Sequence, residues 1–251
     1  MVRGMSEVGF HTLPGGQRIA FRQCDGAGPA WVFLPGYMSD MSGSKASALF
    51  ERARAIGRAC LLLDYSGCGR SDGEFADGTL TRWRDEVAEL IAARIDGPVV
   101  LVGSSMGGWL MLLVALALVE HNGPDRIAGL IGIAAAPDFT DWSYDERQKA
   151  ALAAGETVLE DNPYGTEPTP TYPDLWSDGQ ANLLLGGPIP LACPVRLIHG
   201  QQDSDVPFDT SLRLAAALHS ADVQVTLVKD GDHRLSRETD IALLLRIVET
   251  L

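Results

Sequence analysis

The chain has 251 residues, 46% of them hydrophobic and 21% charged, proportions of an ordinary globular protein that exclude disorder as its main state. Its 20 basic and 33 acidic residues leave a net charge of −13 at neutral pH with no basic run, so bare nucleic acid and anionic membranes would repel it. The length suits one large α/β domain or two small ones.

No apolar segment of the secretory type follows Met1–Ser6 and arginine is sparse there, so neither a secretory signal nor a transit peptide is expected, and the expected compartment is the cytoplasm. Residues 6–12 and 18–23 read as an opening pair of strands turned by Pro14-Gly15-Gly16. Residues 31–34 read as a buried strand broken by Pro35-Gly36. A helix over 44–56 and a strand over 60–64 follow, then a helix over 80–95 with Thr79 as its cap. The next strand covers 99–102, and a helix over 106–120, apolar nearly all round, must lie in the interior before His121-Asn122-Gly123-Pro124 stops it. The uncharged stretch 98–119 is no membrane span, because Pro98, Ser104, Ser105, Gly107 and Gly108 leave too short an unbroken apolar run for the roughly 20 residues a bilayer requires. A strand over 127–134 closes this half.

Beyond Pro137 the rhythm changes: Pro163, Pro168, Pro170 and Pro173 punctuate a stretch with no central strand. Residues 137–186 are therefore expected to form a small cap, with helices over 143–154 and 173–185 around an irregular or hairpin-like middle. Its aromatics Trp142, Tyr164, Tyr172 and Trp176 are expected to glue the cap to the body, the alternative being that they line a substrate pocket. After Pro194 the rhythm returns, with strands over 195–199 and 223–228 and helices over 209–219 and 236–250. These elements predict an α/β fold built on a mostly parallel eight-stranded sheet with helices on both faces, its core formed by residues 1–136 and 187–251. Cys24, Cys60, Cys68 and Cys193 show neither metal-type nor disulfide-type spacing and read as reduced, structural residues.

Gly103-Ser104-Ser105-Met106-Gly107 matches G-x-S-x-G, directly after the strand VVLV and at the start of the apolar helix. In that setting a serine is forced onto a tight turn and projects above the carboxyl edge of the sheet. The helix start behind it supplies free N–H groups and a positive dipole end where an oxyanion would form. A serine hydroxyl is a poor nucleophile at neutral pH, so a base and an orienting acid are needed downstream. Asp203, in the loop after the strand VRLIHG, is the chosen acid; Asp205 on the same loop is the competitor, while Asp209 reads as a helix cap. His233, in the loop after VQVTLV, is the chosen base. His199 ends a strand, His121 and His219 close helices, and His11 sits in the opening hairpin. The second oxyanion donor is expected from Leu34-Pro35-Gly36-Tyr37-Met38, where Gly36 permits a sharp turn, so the candidate donors are the backbone N–H groups of Tyr37 and Met106. No His and carboxylate cluster has the spacing of a zinc site, and no metal or cofactor is expected.

The elbow, the Ser, Asp, His order and the turn Asp64-Tyr65-Ser66-Gly67-Cys68-Gly69-Arg70-Ser71 resemble the α/β-hydrolase superfamily over nearly the whole chain. More narrowly, LPGYMSDMSGSKA, DYSGCGRSDGEF, GSSMGGWLML, CPVRLIHGQQDSDVP and DGDHRLS resemble the mitochondrial palmitoyl-protein thioesterases that also cleave acyl-glucuronides. The resemblance implies a nucleophile at Ser105, an acid at Asp203 and a base at His233, and a small ester or an S-acylated protein as substrate. A general short-chain carboxylesterase is the alternative activity, and a ligand-binding protein without turnover the alternative class.

Overall fold

The computed structural model describes residues 7–162 and 165–251. The expectations placed on Met1–Ser6, Pro163 and Tyr164 fall outside the described residues.

Along the first half run β1 (Gly9–Thr12), β2 (Arg18–Cys24), β3 (Ala27–Leu34), α1 (Ser44–Ile56), β4 (Arg58–Leu63), α2 (Leu80–Arg94), β5 (Val99–Ser104), α3 (Met106–Asn122) and β6 (Ile127–Ile133). The stretch after β6 holds α4 (Phe139–Trp142), α5 (Glu146–Ala153), β7 (Val158–Glu160), β8 (Thr169–Thr171) and α6 (Pro173–Ala181). The chain closes with β9 (Val195–Gly200), α7 (Asp209–Ala217), β10 (Val223–Val228) and α8 (Glu238–Val248). Eight strands form one sheet in the order β1-β2-β4-β3-β5-β6-β9-β10, antiparallel at the β1-β2-β4 edge and parallel from β4 to β10.

The inner strands read as continuous apolar runs because both faces of the sheet are covered. Val32, Leu34, Leu61, Leu63 and Leu101 point toward α2 and α3, where Trp83, Leu90, Trp109 and Leu110 are fully buried. Trp31, Phe33, Cys60, Leu62, Val100 and Val102 point the other way, onto Leu49 and Phe50 of α1 and Leu244 and Val248 of α8. Each such buried side chain stabilises the fold by about 1.5–3 kcal/mol relative to an exposed one. The α3 helix is buried from Met106 to Ala115 without a polar face, as its composition requires. Among the described residues no helix is long and apolar enough to cross a membrane.

Several boundaries differ from the sequence reading. The third strand begins at Ala27 rather than residue 31, because Ala27 reaches Arg58 of β4 before the ladder proper resumes at Trp31. The helix expected over 143–154 starts later, at Glu146, where Asp145 forms a reciprocal capping box with Gln148, and a short helix not expected from the sequence, α4, precedes it. The helix expected over 173–185 ends at Ala181. Asp209 is not a cap. Phe208 is already helical and the Pro207 carbonyl takes the Thr210 N–H, which leaves Asp209 as the first helical residue with only its charge favouring the helix start. Thr79 caps α2, its hydroxyl accepting the Arg82 N–H at 3.2 Å.

The 137–186 stretch is closed on itself at its two ends and tied to α2 and to the loop after β3. The Asp138 carboxylate accepts the Leu184 and Leu185 N–H groups at 2.8 and 2.7 Å, and Asp178 accepts the Thr81 N–H at 2.8 Å. The Tyr37 hydroxyl donates to the Pro170 carbonyl at 2.7 Å and so holds the β7-β8 hairpin over the loop after β3.

Candidate active site

Ser105 sits between β5 and α3 with φ 55° and ψ −122°, a conformation that is costly for a residue with a Cβ. The glycines around it explain how the turn closes. A Cβ on Gly103 would land on the Gly107 carbonyl, and one on Gly107 would land on the Leu34 and Pro35 carbonyls at the end of β3. Lacking side chains there, helix and strands approach closely enough to lift Ser105 over the sheet edge. The Ser105 N–H and carbonyl are held by the Ile133 carbonyl and the Ala136 N–H, which lock the strained residue from the β6 side.

His233 follows β10. Its loop is pinned to the end of β9 by the Gln202 N–H on the Gly231 carbonyl at 2.9 Å, and Asp232 accepts the Leu235 N–H at 2.9 Å. The Lys45 ammonium of α1 donates to the Arg234 carbonyl next to it. Burial pushes the Lys45 pKa down to about 8, with the Arg234 charge adding to the effect. Backbone strain recurs here, since Met38, Ser105 and Leu235 all have positive φ.

These elements bring Ser105, His233 and Asp203 together. His233 Nε2 lies 3.1 Å from Ser105 Oγ, and His233 Nδ1 lies 2.9 Å from Asp203 Oδ2. An ionised carboxylate only accepts, so Nδ1 carries the ring proton and Nε2 is left to accept from the serine hydroxyl. The Asp203 side chain has no solvent exposure and that of His233 has 15%. Burial acts to raise the Asp203 pKa, but hydrogen bonds from His199 and His233, the His233 charge and the Val206 N–H outweigh it and hold the carboxyl well below the usual carboxylate range. Asp205, the competing acid, is exposed; its backbone N–H donates to Asp203 Oδ1 at 2.9 Å, so it helps to hold the other carboxylate.

Tyr37 and Met106, the residues whose N–H groups are the expected oxyanion donors, line the same cavity as Ser105. Among the hydrogen bonds between described residues, neither the Tyr37 nor the Met106 N–H is engaged. Gly36 acts differently from the expectation. Its φ is not positive, and what it permits is close approach: a Cβ there would sit 3.2 Å from the Ser104 carbonyl and 3.3 Å from the Ser105 Cβ. The buried Cys68 thiol is pushed up to about 12, chiefly by desolvation, which makes it a poor nucleophile. All four cysteines are free thiols. Among the described residues no group of three or more His, Cys, Asp or Glu side chains could hold a metal ion.

The cavity over Ser105 has a volume of about 850 Å³. Its lining includes the aromatic residues Tyr37, Phe139, Trp142 and Tyr144 and the charged residues Lys45, Glu160, Asp205 and Arg234. The insertion aromatics thus divide. Trp176 packs with Tyr144, Leu152 and Val158 and so builds the interior of the 137–186 stretch itself, Tyr172 meets Phe75 of the body edge-on, and Trp142 lines the cavity. The sequence reading missed Phe139 and Tyr144, whose positions in an irregular segment carry no periodic signal. It also assigned His199 only to a strand end. That imidazole is completely buried, with Nε2 at 3.1 Å from Asp203 Oδ2 and Nδ1 at 2.7 Å from Ser211 Oγ. The four-residue spacing from His199 to Asp203 across a strand end was the available clue.

A doubly covered, mostly parallel sheet that raises a strained serine between a strand and a buried helix, with an imidazole reaching it from a later strand end, defines a hydrolytic enzyme of the α/β class. The chain belongs to the alpha/beta hydrolase family, whose model matches residues 31–244. It is 36% identical over 258 aligned residues to the palmitoyl-protein thioesterase ABHD10, mitochondrial, of Homo sapiens, covering 99% of this chain and 81% of that protein. Among solved structures it is similar to a putative hydrolase from Agrobacterium vitis S4, with a TM-score of 0.90 and 36% identity over 97% of this chain and 98% of the other. It is likewise similar to alpha/beta hydrolase domain-containing protein 10 from mouse, with a TM-score of 0.88 and 35% identity over 98% of both chains.

Proposed function

We propose that this hydrolase cleaves carboxylic thioesters and esters through an acyl-enzyme on Ser105, with residues 137–186 as the cap that shapes its acyl pocket. The Ser105 oxygen attacks the acyl carbonyl while its proton passes to His233 Nε2. Asp203 holds the imidazole with Nδ1 protonated and stabilises the imidazolium that forms. The Tyr37 and Met106 N–H groups take the developing oxyanion, a donor of this kind being worth about 2.7–4 kcal/mol in the transition state. The imidazolium returns its proton to the departing thiol or alcohol, and water, deprotonated by the same imidazole, then frees the acid and restores Ser105.

The observation that carries this reading is the single imidazole in reach of both partners, 3.1 Å from the Ser105 hydroxyl and 2.9 Å from the Asp203 carboxylate. The favoured substrate is an S-acylated protein or peptide, on the strength of the named relative and of a cavity lined by both aromatic and charged residues. An acyl-glucuronide is the competing substrate. Gel-based labelling with a fluorophosphonate tests the chemistry: wild type labels and Ser105→Ala does not, and equal labelling of the two rejects the assignment. Turnover of an S-palmitoyl peptide, an acyl-glucuronide and short nitrophenyl esters at matched concentrations then tests the substrate. Activity confined to C2–C4 esters leaves a general carboxylesterase. The cytoplasmic address expected from the first residues and the mitochondrial one in the relative's name are separated by cell fractionation.

A further inference from the structure

The Asp203 carboxylate has more partners than an orienting acid requires. Oδ1 accepts the Asp205 and Val206 N–H groups at 2.9 and 2.8 Å, while Oδ2 is shared by two imidazoles, His233 Nδ1 at 2.9 Å and His199 Nε2 at 3.1 Å. His199 Nε2 faces a second acceptor, the Val206 carbonyl at 3.0 Å, so this nitrogen carries a proton. Its other nitrogen then accepts from the Ser211 hydroxyl of α7 at 2.7 Å, and every polar atom of this fully buried ring is satisfied in the neutral state.

We propose that His199 is a positioning residue for the hydrolytic site, a second N–H donor that fixes Asp203 Oδ2 in the plane of the His233 ring throughout the catalytic cycle. This rests on the assignment of Ser105, His233 and Asp203 made above. The physical need is specific. His233 must serve two atoms in turn, the serine oxygen and the leaving atom, and small ring movements between them loosen its bond to Oδ2. With His233 as the only donor on that oxygen, the carboxylate would follow the ring or rotate about its own bond. The His199 N–H comes from β9, a rigid inner strand, and therefore keeps Oδ2 stationary while the catalytic ring moves. A buried oxygen left with a vacant acceptor position would also favour any rearrangement that recovers a donor.

The experiment compares His199→Phe and His199→Met, which fill the space without a donor, with His199→Gln, whose carboxamide places an uncharged N–H near the original Nε2. Hydrolysis of 4-nitrophenyl butyrate is measured per active site titrated with a fluorophosphonate, so that a partly folded preparation does not register as a slow enzyme. Expected is a fall in kcat of about 10- to 100-fold for the donor-free variants, by analogy with the loss when hydrogen-bond partners behind metal-binding side chains are removed, with KM within about threefold of wild type. His199→Gln is expected to recover to within about fivefold of wild-type kcat. A donor-free variant that turns over within twofold of wild type overturns the proposal, as does a glutamine variant no faster than they are. Should neither donor-free variant fold in thermal melts, His199→Gln decides alone: within fivefold of wild type supports the role and a larger loss overturns it. Wild type that fails to label at Ser105 would defeat the hydrolase assignment itself, an outcome distinct from normal labelling with an indifferent His199.

Discussion

Replacing Asp203 by Asn exchanges one carboxylate oxygen for an NH2 group, and the structure dictates how the new group must sit. The Asp205 and Val206 N–H groups both point at Oδ1, at 2.9 and 2.8 Å, so the carboxamide oxygen takes that place. The amide nitrogen then replaces Oδ2, where it faces His233 Nδ1 and can only donate to it. His233 is driven into the tautomer with its proton on Nε2, which points that proton at Ser105 Oγ, 3.1 Å away, and removes the lone pair meant to take the serine proton. The second imidazole worsens the placement, because His199 Nε2–H meets an N–H instead of an oxygen. A tautomer error of this kind costs about 10⁴-fold in kcat, equivalent to about 5 kcal/mol of transition-state stabilisation. The assay is 4-nitrophenyl butyrate hydrolysis with active sites counted by fluorophosphonate, run beside Asp205→Asn, whose exposed side chain should be replaceable within about twofold. Asp203→Asn within tenfold of wild type, or Asp205→Asn as damaged as it, would refute the reasoning.

Three further outcomes follow from the packing and the charges. Gly107→Ala places a Cβ on the Leu34 and Pro35 carbonyls and should cost about 1–3 kcal/mol or more of stability together with activity, whereas Gly97→Ala, with open space around it, should leave both unchanged; urea unfolding and turnover read the pair, and an unaffected Gly107→Ala contradicts the elbow packing. Thr79→Ala removes the hydroxyl that receives the Arg82 N–H and should lower stability by about 1 kcal/mol in urea melts without altering kcat. Because the Asp203 pKa is lowered on folding, its ionised form contributes stability that is complete above the unfolded value of about 3.9 and declines as pH falls toward the folded value. The urea midpoint of wild type relative to Asp203→Asn should therefore be constant above about pH 5 and shrink toward pH 3; a difference independent of pH would show that the carboxylate is not held ionised.

Local patterning is why so much of the fold was legible. The inner strands carry unbroken runs of Val, Leu and Ile because two faces are buried, and α3 is apolar all round for the same reason, so both are visible without knowing any neighbour. Position within this rhythm also put Ser105, Asp203 and His233 at three strand ends on one edge of the sheet. Errors gathered where nothing repeats. The short α4, the later start of α5, the early start of β3 and the pocket-lining places of Phe139 and Tyr144 depend on single contacts in irregular chain. Gly36 was read as a turn residue because glycine so often is one, whereas the constraint comes from Ser104 and Ser105, nearly seventy residues away.

The sequence by itself determined the class of protein: a serine between Gly103 and Gly107 after an apolar strand, an acid and then a histidine in later loops, and helices spaced to cover a parallel sheet. Spacing does not separate Asp203 from Asp205 on their shared loop, where Asp203 is the preferred acid and the family resemblance agrees; the fold shows that Asp203 is the carboxylate that meets an imidazole 30 residues further on. It alone also gave His199 a place against Asp203 and joined Tyr37, in the loop after β3, to the insertion at Pro170. The reason is physical. Burial periodicity is a property of neighbouring residues, whereas a hydrogen bond across 128 residues, such as that of Ser105 with His233, exists only after several strands have set their register and brought two distant loops to within 3.1 Å.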